Sequence, residues 1–290
     1  MARVLIVHGI ANQYAGEAQL HSAWFPALAD GLLRAESKIA LRPDDCFCPF
    51  YGDLFRPAGH LGGGRRFTTA DLAGLSEEEL ALIAGIWRSA AASDPAVPPP
   101  EAFGDTLARA PRLAERALVA LARSTFLARS LPLHFFGDLR QVVRYFDDPR
   151  VREVVRERVT RRIGPETRVV IGHSLGSAVA YEAICAKPER VALFVTLGSP
   201  LGLRNVVFDK LSPPPGADGI GQWPGRVERW VNVAATGDIV AAQKTLAPLF
   251  GDGVEDHVID SGWDAHSSVR YLNTAAAGAA IAEALAAGAG

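Results

Sequence analysis

Short apolar runs separated by stretches of helical periodicity organise both ends of this chain. The runs are RVLIV (3–7), DCFCPF (45–50), TRVVI (167–171), VALFVTL (191–197), VERWVNVA (227–234) and VEDHVID (254–260). Most are near-continuously apolar rather than alternating, the pattern of strands covered on both faces. Strands separated by helices need crossovers and align in parallel. The expected fold is therefore α/β: a mostly parallel central sheet of about six to seven strands with helices on both faces.

Between residues 56 and 137 the strand pattern stops. Ser76 and Glu79 flank the start of a helix as a reciprocal cap, with Leu75 and Leu80 placed to pack together. That helix runs toward Ala91 and ends at SDPAVPPP; a second spans 101–131, with Pro111 a possible division. This segment reads as a helical cap or lid inserted into a core made of 1–55 and 138–290. Its apolar residues Phe126, Leu127, Leu131, Leu133, Phe135 and Phe136 suit either a cover for an acyl chain or ordinary packing. Residues 138–163 return to the core as one or two helices. There Val151, Val154, Val155 and Val159 form the apolar stripe, and Arg152, Glu153, Arg156, Glu157 and Arg158 face water. The glycine run at 62–66 lacks the flanking strand and helix of a phosphate-binding loop and reads as a plain loop.

Composition narrows the function. A formal net charge of −2 over 290 residues gives no reason to expect a nucleic-acid partner. Cys46, Cys48 and Cys185 make neither a disulfide framework nor a metal-ligand spacing, so no metal and no cofactor is expected, and the thiols read as buried and free. The opening MARVLIVHG is too short for a secretory apolar region, and the Ala-rich end carries Glu283 and falls short of a membrane span. The expectation is a cytoplasmic protein without an integral membrane segment; a protein partner is not indicated either way.

Candidate chemistry centres on GHSLG (172–176). At this glycine and serine content, such a pattern arises by chance about one time in eight. Its setting is what counts: TRVVI is a buried strand, the five residues are a turn, and a helix follows until Pro188. Gly172 and Gly176 remove side chains that would collide with the adjoining strand and helix. Ser174 then stands exposed at the carboxyl edge of the sheet, with a helix N-terminus behind it.

A serine needs a base, and the base an orienting carboxylate, here expected in the order Ser, acid, His after successive strands. Asp238, in TGD just past the fifth run, fits the acid; His266, in SGWDAHSS past the sixth, fits the base. Asp256, Asp260 and Asp264 are rival acids: the first two fall within the strand, and Asp264 is placed to cap the last helix. His257 reads as a structural strand residue. An oxyanion needs two donors, the N–H of Leu175 and one from the loop after the first strand, where Gly9 allows close approach and Ile10 supplies the N–H. His8, His173 and Ser199 are candidate pocket-lining residues, with local bonding for His173 and a turn beside Pro200 for Ser199 as their alternatives.

His8–Gly9 after the first strand, GHSLG with Ser174, Asp238 and His266 together resemble the α/β-hydrolase superfamily, most closely its lipase- and esterase-like members. The resemblance covers the core segments and leaves 56–137 without a recognised motif. It implies a serine hydrolase acting on a small-molecule ester or acyl substrate, in which Ser174 attacks a carbonyl, His266 shuttles the proton and Asp238 holds the imidazole. Acyl transfer, thioester or amide cleavage would use the same residues, and a non-catalytic binding scaffold is the reading from another class. Two departures are visible. The oxyanion segment is HGI rather than an HGGG-type run, and the usual two leading antiparallel strands are missing, which argues for a smaller sheet.

Overall fold

A computed structural model describes residues 2–56, 68–103, 110–124, 132–260, 262 and 264–287. The glycine run at 62–66 and Phe126, Leu127 and Leu131 lie outside them, as do the side chains of Leu133 and Phe135.

The strands are β1 (Val4–Val7), β2 (Cys46–Phe47), β3 (Val169–His173), β4 (Arg190–Leu197), β5 (Arg226–Ala235) and β6 (Val254–Ile259). They form one all-parallel sheet in the order β2-β1-β3-β4-β5-β6. Each of the six apolar runs supplies one strand, and no seventh occurs among the described residues. The second run contributes only two paired residues.

Alternate residues of these buried strands feed two separate cores. Val4, Ile6, Val169, Ile171, Leu193, Val195, Val231 and Val233 point to one side. They pack there under α1 (Glu17–Arg34), α8 (Ser268–Leu272) and α9 (Ala275–Ala286). Leu5, Val7, Val170, Phe194 and Trp230 point to the other side. That face is covered by α2 (Glu77–Ser93), α3 (Ala110–Leu121), α4 (Pro132–Asp147), α5 (Pro149–Thr160) and α6 (Leu175–Cys185). A short α7 (Ala247–Phe250) precedes β6. Among the described residues, no helix is long and apolar enough to cross a membrane.

The helical segment between β2 and α5 does not stand apart from the sheet. Leu80, Ile83, Ile86 and Trp87 of α2, with Ala114, Ala117 and Leu121 of α3, belong to the same apolar cluster as the strands, and Phe136 is buried with them. Ser76 and Glu79 cap α2 reciprocally, as their spacing predicts. Within the second expected helix, 101–131, α3 spans Ala110–Leu121 and the helix ends before Ala122, while Pro100–Phe103 form a 3₁₀ turn. Residues 138–163 form parts of two helices, broken where Asp148 accepts from Arg150 N and Val151 N and Pro149 opens α5.

Two α5 side chains depart from the amphipathic pattern. Val154 is exposed, because Val151, Val155 and Val159, at i, i+4 and i+8, already fill the contact line. Arg152 turns inward to the carboxylate of Glu182, which is buried on α6 and also accepts from Tyr145 Oη at 2.6 Å and Ser212 N at 3.0 Å. A carboxylate removed from water needs such partners, so tertiary burial of Glu182 overrides the helix-face expectation for Arg152.

This topology fixes where a site can form. The chain runs from β1 outward to β2, then crosses back to place β3 on the other side of β1. Loops leaving the carboxyl ends of β1 and β3 therefore diverge to opposite faces of the sheet at the point where strand order reverses. His8–Ile10 follow β1 and Ser174 follows β3.

Candidate active site

The turn at Ser174 is built by close approach. Ser174 has φ 55° and ψ −133°, a left-handed conformation that side chains rarely adopt. A Cβ at Gly172 would lie 2.5 Å from Ser177 Cα, and one at Gly176 would lie 2.2 Å from Val7 O and 2.5 Å from His8 O. The glycines thus let α6 rest directly on the backbone of β1 and β3. Substituting Gly176→Ala is expected to cost about 3 kcal/mol, because the obstructing atoms are main-chain carbonyls that cannot rotate away; equilibrium urea unfolding measures this.

The β1 loop reaches the same spot. A Cβ on Gly9 would fall 2.5 Å from Ser174 Cβ and 3.0 Å from its Oγ. The next residue, Ile10, is half-buried against the core, and its loop is shaped by Asn12, whose Nδ2 donates to Ile10 O at 2.9 Å and Gly9 O at 3.2 Å. Leu175 is the first residue of α6, where helix N–H groups have no partner within the helix.

His8 is buried beneath this loop rather than open to it. Its ring stacks on Tyr51 with centroids 3.9 Å apart; Tyr51 N donates to Nε2 at 3.2 Å and Nδ1–H donates to Gly9 O at 2.8 Å. Burial drives its pKa down to about 4, so the ring is neutral and structural. Ser199 accepts from Leu201 N at 3.2 Å, the turn role beside Pro200.

Asp238 lies three residues beyond β5, and its carboxylate is surrounded by donors. Oδ1 accepts from Val240 N at 2.9 Å and Ala241 N at 3.3 Å; Oδ2 accepts from His266 Nδ1 at 2.8 Å and Tyr271 Oη at 2.7 Å. Burial alone would raise its pKa, but the His266 ring and the hydroxyl of Tyr271 outweigh it and hold the group down at about 2. Lys244 Nζ donates to the Asp238 carbonyl and closes the loop behind it.

Ser174 is tied to this pair through its neighbours. Its N–H donates to Leu197 O at 3.0 Å, and at the next residue, Gly198 (φ 54°), a Cβ would stand 2.6 Å from Asp238 Oδ2 and 3.1 Å from His266 Nδ1. From the other side, His173 Nε2 donates to His266 O at 2.9 Å. The loops after β1 and β3 thus set Gly9 against Ser174, those after β5 and β6 set Asp238 against His266, and Leu197–Gly198 at the end of β4 join the two pairs.

The rival acids are engaged elsewhere. Asp256 accepts from Leu246 N, Ala247 N and Asn232 Nδ2. Asp260 falls just past β6 and bonds Gly262 N. Asp264 pairs with Arg270 at 3.8 Å, while Ser267 is the residue preceding α8, so the expected helix cap is not formed by Asp264. His257 is exposed on β6. Among the described residues, no group of three or more His, Cys, Asp or Glu side chains is arranged to hold a metal ion.

Tyr271 is the participant that sequence reasoning missed. It accepts Ala235 N–H at 2.8 Å while donating to Asp238, joining β5 to the acid loop. No spacing along the chain marked it, because its hydroxyl reaches Asp238 only through the packing of α8 against the end of β5. Tyr271→Phe leaves Ala235 N–H unpaired and removes a donor from a buried carboxylate, so a loss of about 2 kcal/mol is expected in thermal or urea unfolding.

Compared with known proteins, the chain matches no family model, no curated protein and no solved structure.

Proposed function

We propose that this protein is a serine hydrolase of the α/β-hydrolase type that cleaves a carboxylic ester. The observation that carries the reading is the buried Asp238 bonded to His266 Nδ1 at 2.8 Å, in the cluster that holds Ser174 at its positive-φ turn. In this mechanism Ser174 Oγ attacks the ester carbonyl and its proton passes to His266 Nε2. The imidazolium formed is stabilised by Asp238 and returns the proton to the departing alcohol. The amides of Leu175 and Ile10 receive the oxyanion, and water, deprotonated by the same imidazole, releases the acid from the acyl-serine. The all-parallel six-stranded sheet flanked by helices is compatible with that superfamily. The helices of 56–137 would serve either as an apolar cover for an acyl chain or as packing on the core, and we read the setting as cytoplasmic.

A fluorophosphonate probe is expected to label wild-type protein at Ser174 and to leave Ser174→Ala unlabelled; intact-mass and peptide mass spectrometry give the stoichiometry and the position. Adding an alcohol or amine acceptor to a chromogenic-ester assay separates hydrolysis from acyl transfer. One observation favours the scaffold alternative: Ser174 is only 2% exposed. Folded, monodisperse protein that resists labelling would support that alternative.

A further inference from the structure

We propose that His173 is a positioning residue that ties the loop of His266 to the turn of Ser174 through its Nε2–H bond to the His266 carbonyl. A carbonyl oxygen only accepts, so the 2.9 Å contact requires the proton on His173 Nε2. The bond is long-range in sequence and short in space: it links the end of β3 to the segment between β6 and α8. The His173 and His266 rings lie 4.9 Å apart at 38°, and the Tyr271 ring stands 6.1 Å from His173, so the buried His173 ring is closely packed. Burial holds His173 down at about 3, which keeps it neutral and its donor in place throughout the physiological range.

The consequence is geometric. Asp238 fixes the His266 ring at Nδ1, and His173 fixes the main chain from which that ring departs; two anchors on one residue determine where Nε2 points. Because the second anchor is the residue preceding Ser174, any shift of the turn carries the base loop with it. Serine and imidazole therefore keep their relative position as local structure breathes. Misplacing a proton-transfer partner by about 1 Å costs on the order of 10²-fold in rate.

The turnover arm of the test rests on the proposed hydrolase activity; the spectroscopic arm does not. His173→Phe keeps a ring of similar size and removes the donor, while His173→Gln restores an N–H donor. With a p-nitrophenyl ester as substrate, His173→Phe is expected to lower kcat about 10- to 100-fold with KM within about twofold, and His173→Gln to recover most of kcat. In ¹⁵N-imidazole NMR, wild-type His173 is expected as the Nε2–H tautomer, with the His266 Nδ1–H signal protected from exchange. That protection should be lost in His173→Phe and kept in His173→Gln. A wild-type His173 found as the Nδ1–H tautomer overturns the proposal even if neither variant folds. So does a folded His173→Phe with unchanged His266 protection. Wild-type protein that shows the tautomer and the protected signal but turns over no ester leaves the tether standing and removes the hydrolase reading instead.

Discussion

Replacing Ser174 by glycine is expected to abolish ester turnover and, at the same time, make the protein more stable than the Ser174→Ala variant by about 1 kcal/mol. The serine holds φ 55° and ψ −133°, a backbone state that costs a residue with a Cβ about 1–3 kcal/mol. Glycine relieves that strain and surrenders about 0.5–1 kcal/mol through its greater freedom when unfolded. Alanine keeps the Cβ and the strain while removing the hydroxyl, so comparing the two variants isolates the backbone term. For a nucleophile of this kind, loss of the hydroxyl lowers kcat by at least about 10⁴-fold. Urea unfolding and ester kinetics on both variants read the two effects separately. Equal stability of the glycine and alanine variants would remove the strain argument, and undiminished turnover in either would remove Ser174 as the nucleophile.

The second large effect is on acid stability. His8 and His173 are held at about 4 and about 3 by burial, below the ordinary imidazole value of 6.5. The unfolded chain therefore binds protons that the folded chain refuses, and stability must fall as pH drops through 6.5 toward those lower values. Between pH 7 and pH 5 the two rings together are expected to remove about 4 kcal/mol, a large share of the total for a typical domain. Asp238, held at about 2, has the depressed pKa of a stabilising carboxylate; its contribution is present at neutral pH and begins to disappear only below about 4. Unfolding free energies from urea titrations at half-unit pH intervals check the slope, and His173→Gln should halve it. A flat profile from pH 7 to pH 5 would mean that neither ring is buried in its neutral form.

Much of the architecture was legible in the order of residues alone. Parallel strands covered on both faces are apolar along much of their length, so the six runs stood out, while the expectation of six to seven strands left their number open. The paired glycines around Ser174 were readable because a helix packed on a strand excludes Cβ atoms at both contact points, an exclusion the 2.2–2.5 Å approaches now measure. Asp238 and His266 could be named as partners because each follows a later apolar run in the order acid then base, and the two are found bonded at 2.8 Å. The limits are equally physical. Arg152 could not be assigned inward from its helix periodicity, since the cause is a carboxylate on another helix. His8 was grouped with the pocket because it adjoins Gly9; only packing against Tyr51 shows it sealed below.

By itself, the amino-acid order determined what repeats locally: strand and helix periods, the capped start of α2, the glycine spacing of the turn and the succession Ser174, Asp238, His266. Tertiary structure alone decided which distant groups share a proton or a donor. It bonded His266 to Asp238, brought Tyr271 to the same carboxylate oxygen and set His173 against the His266 carbonyl. The reason is that periodicity records which face of an element is dry. The partner of a buried polar atom is set by elements packing side by side, and that adjacency leaves no repeat along the chain.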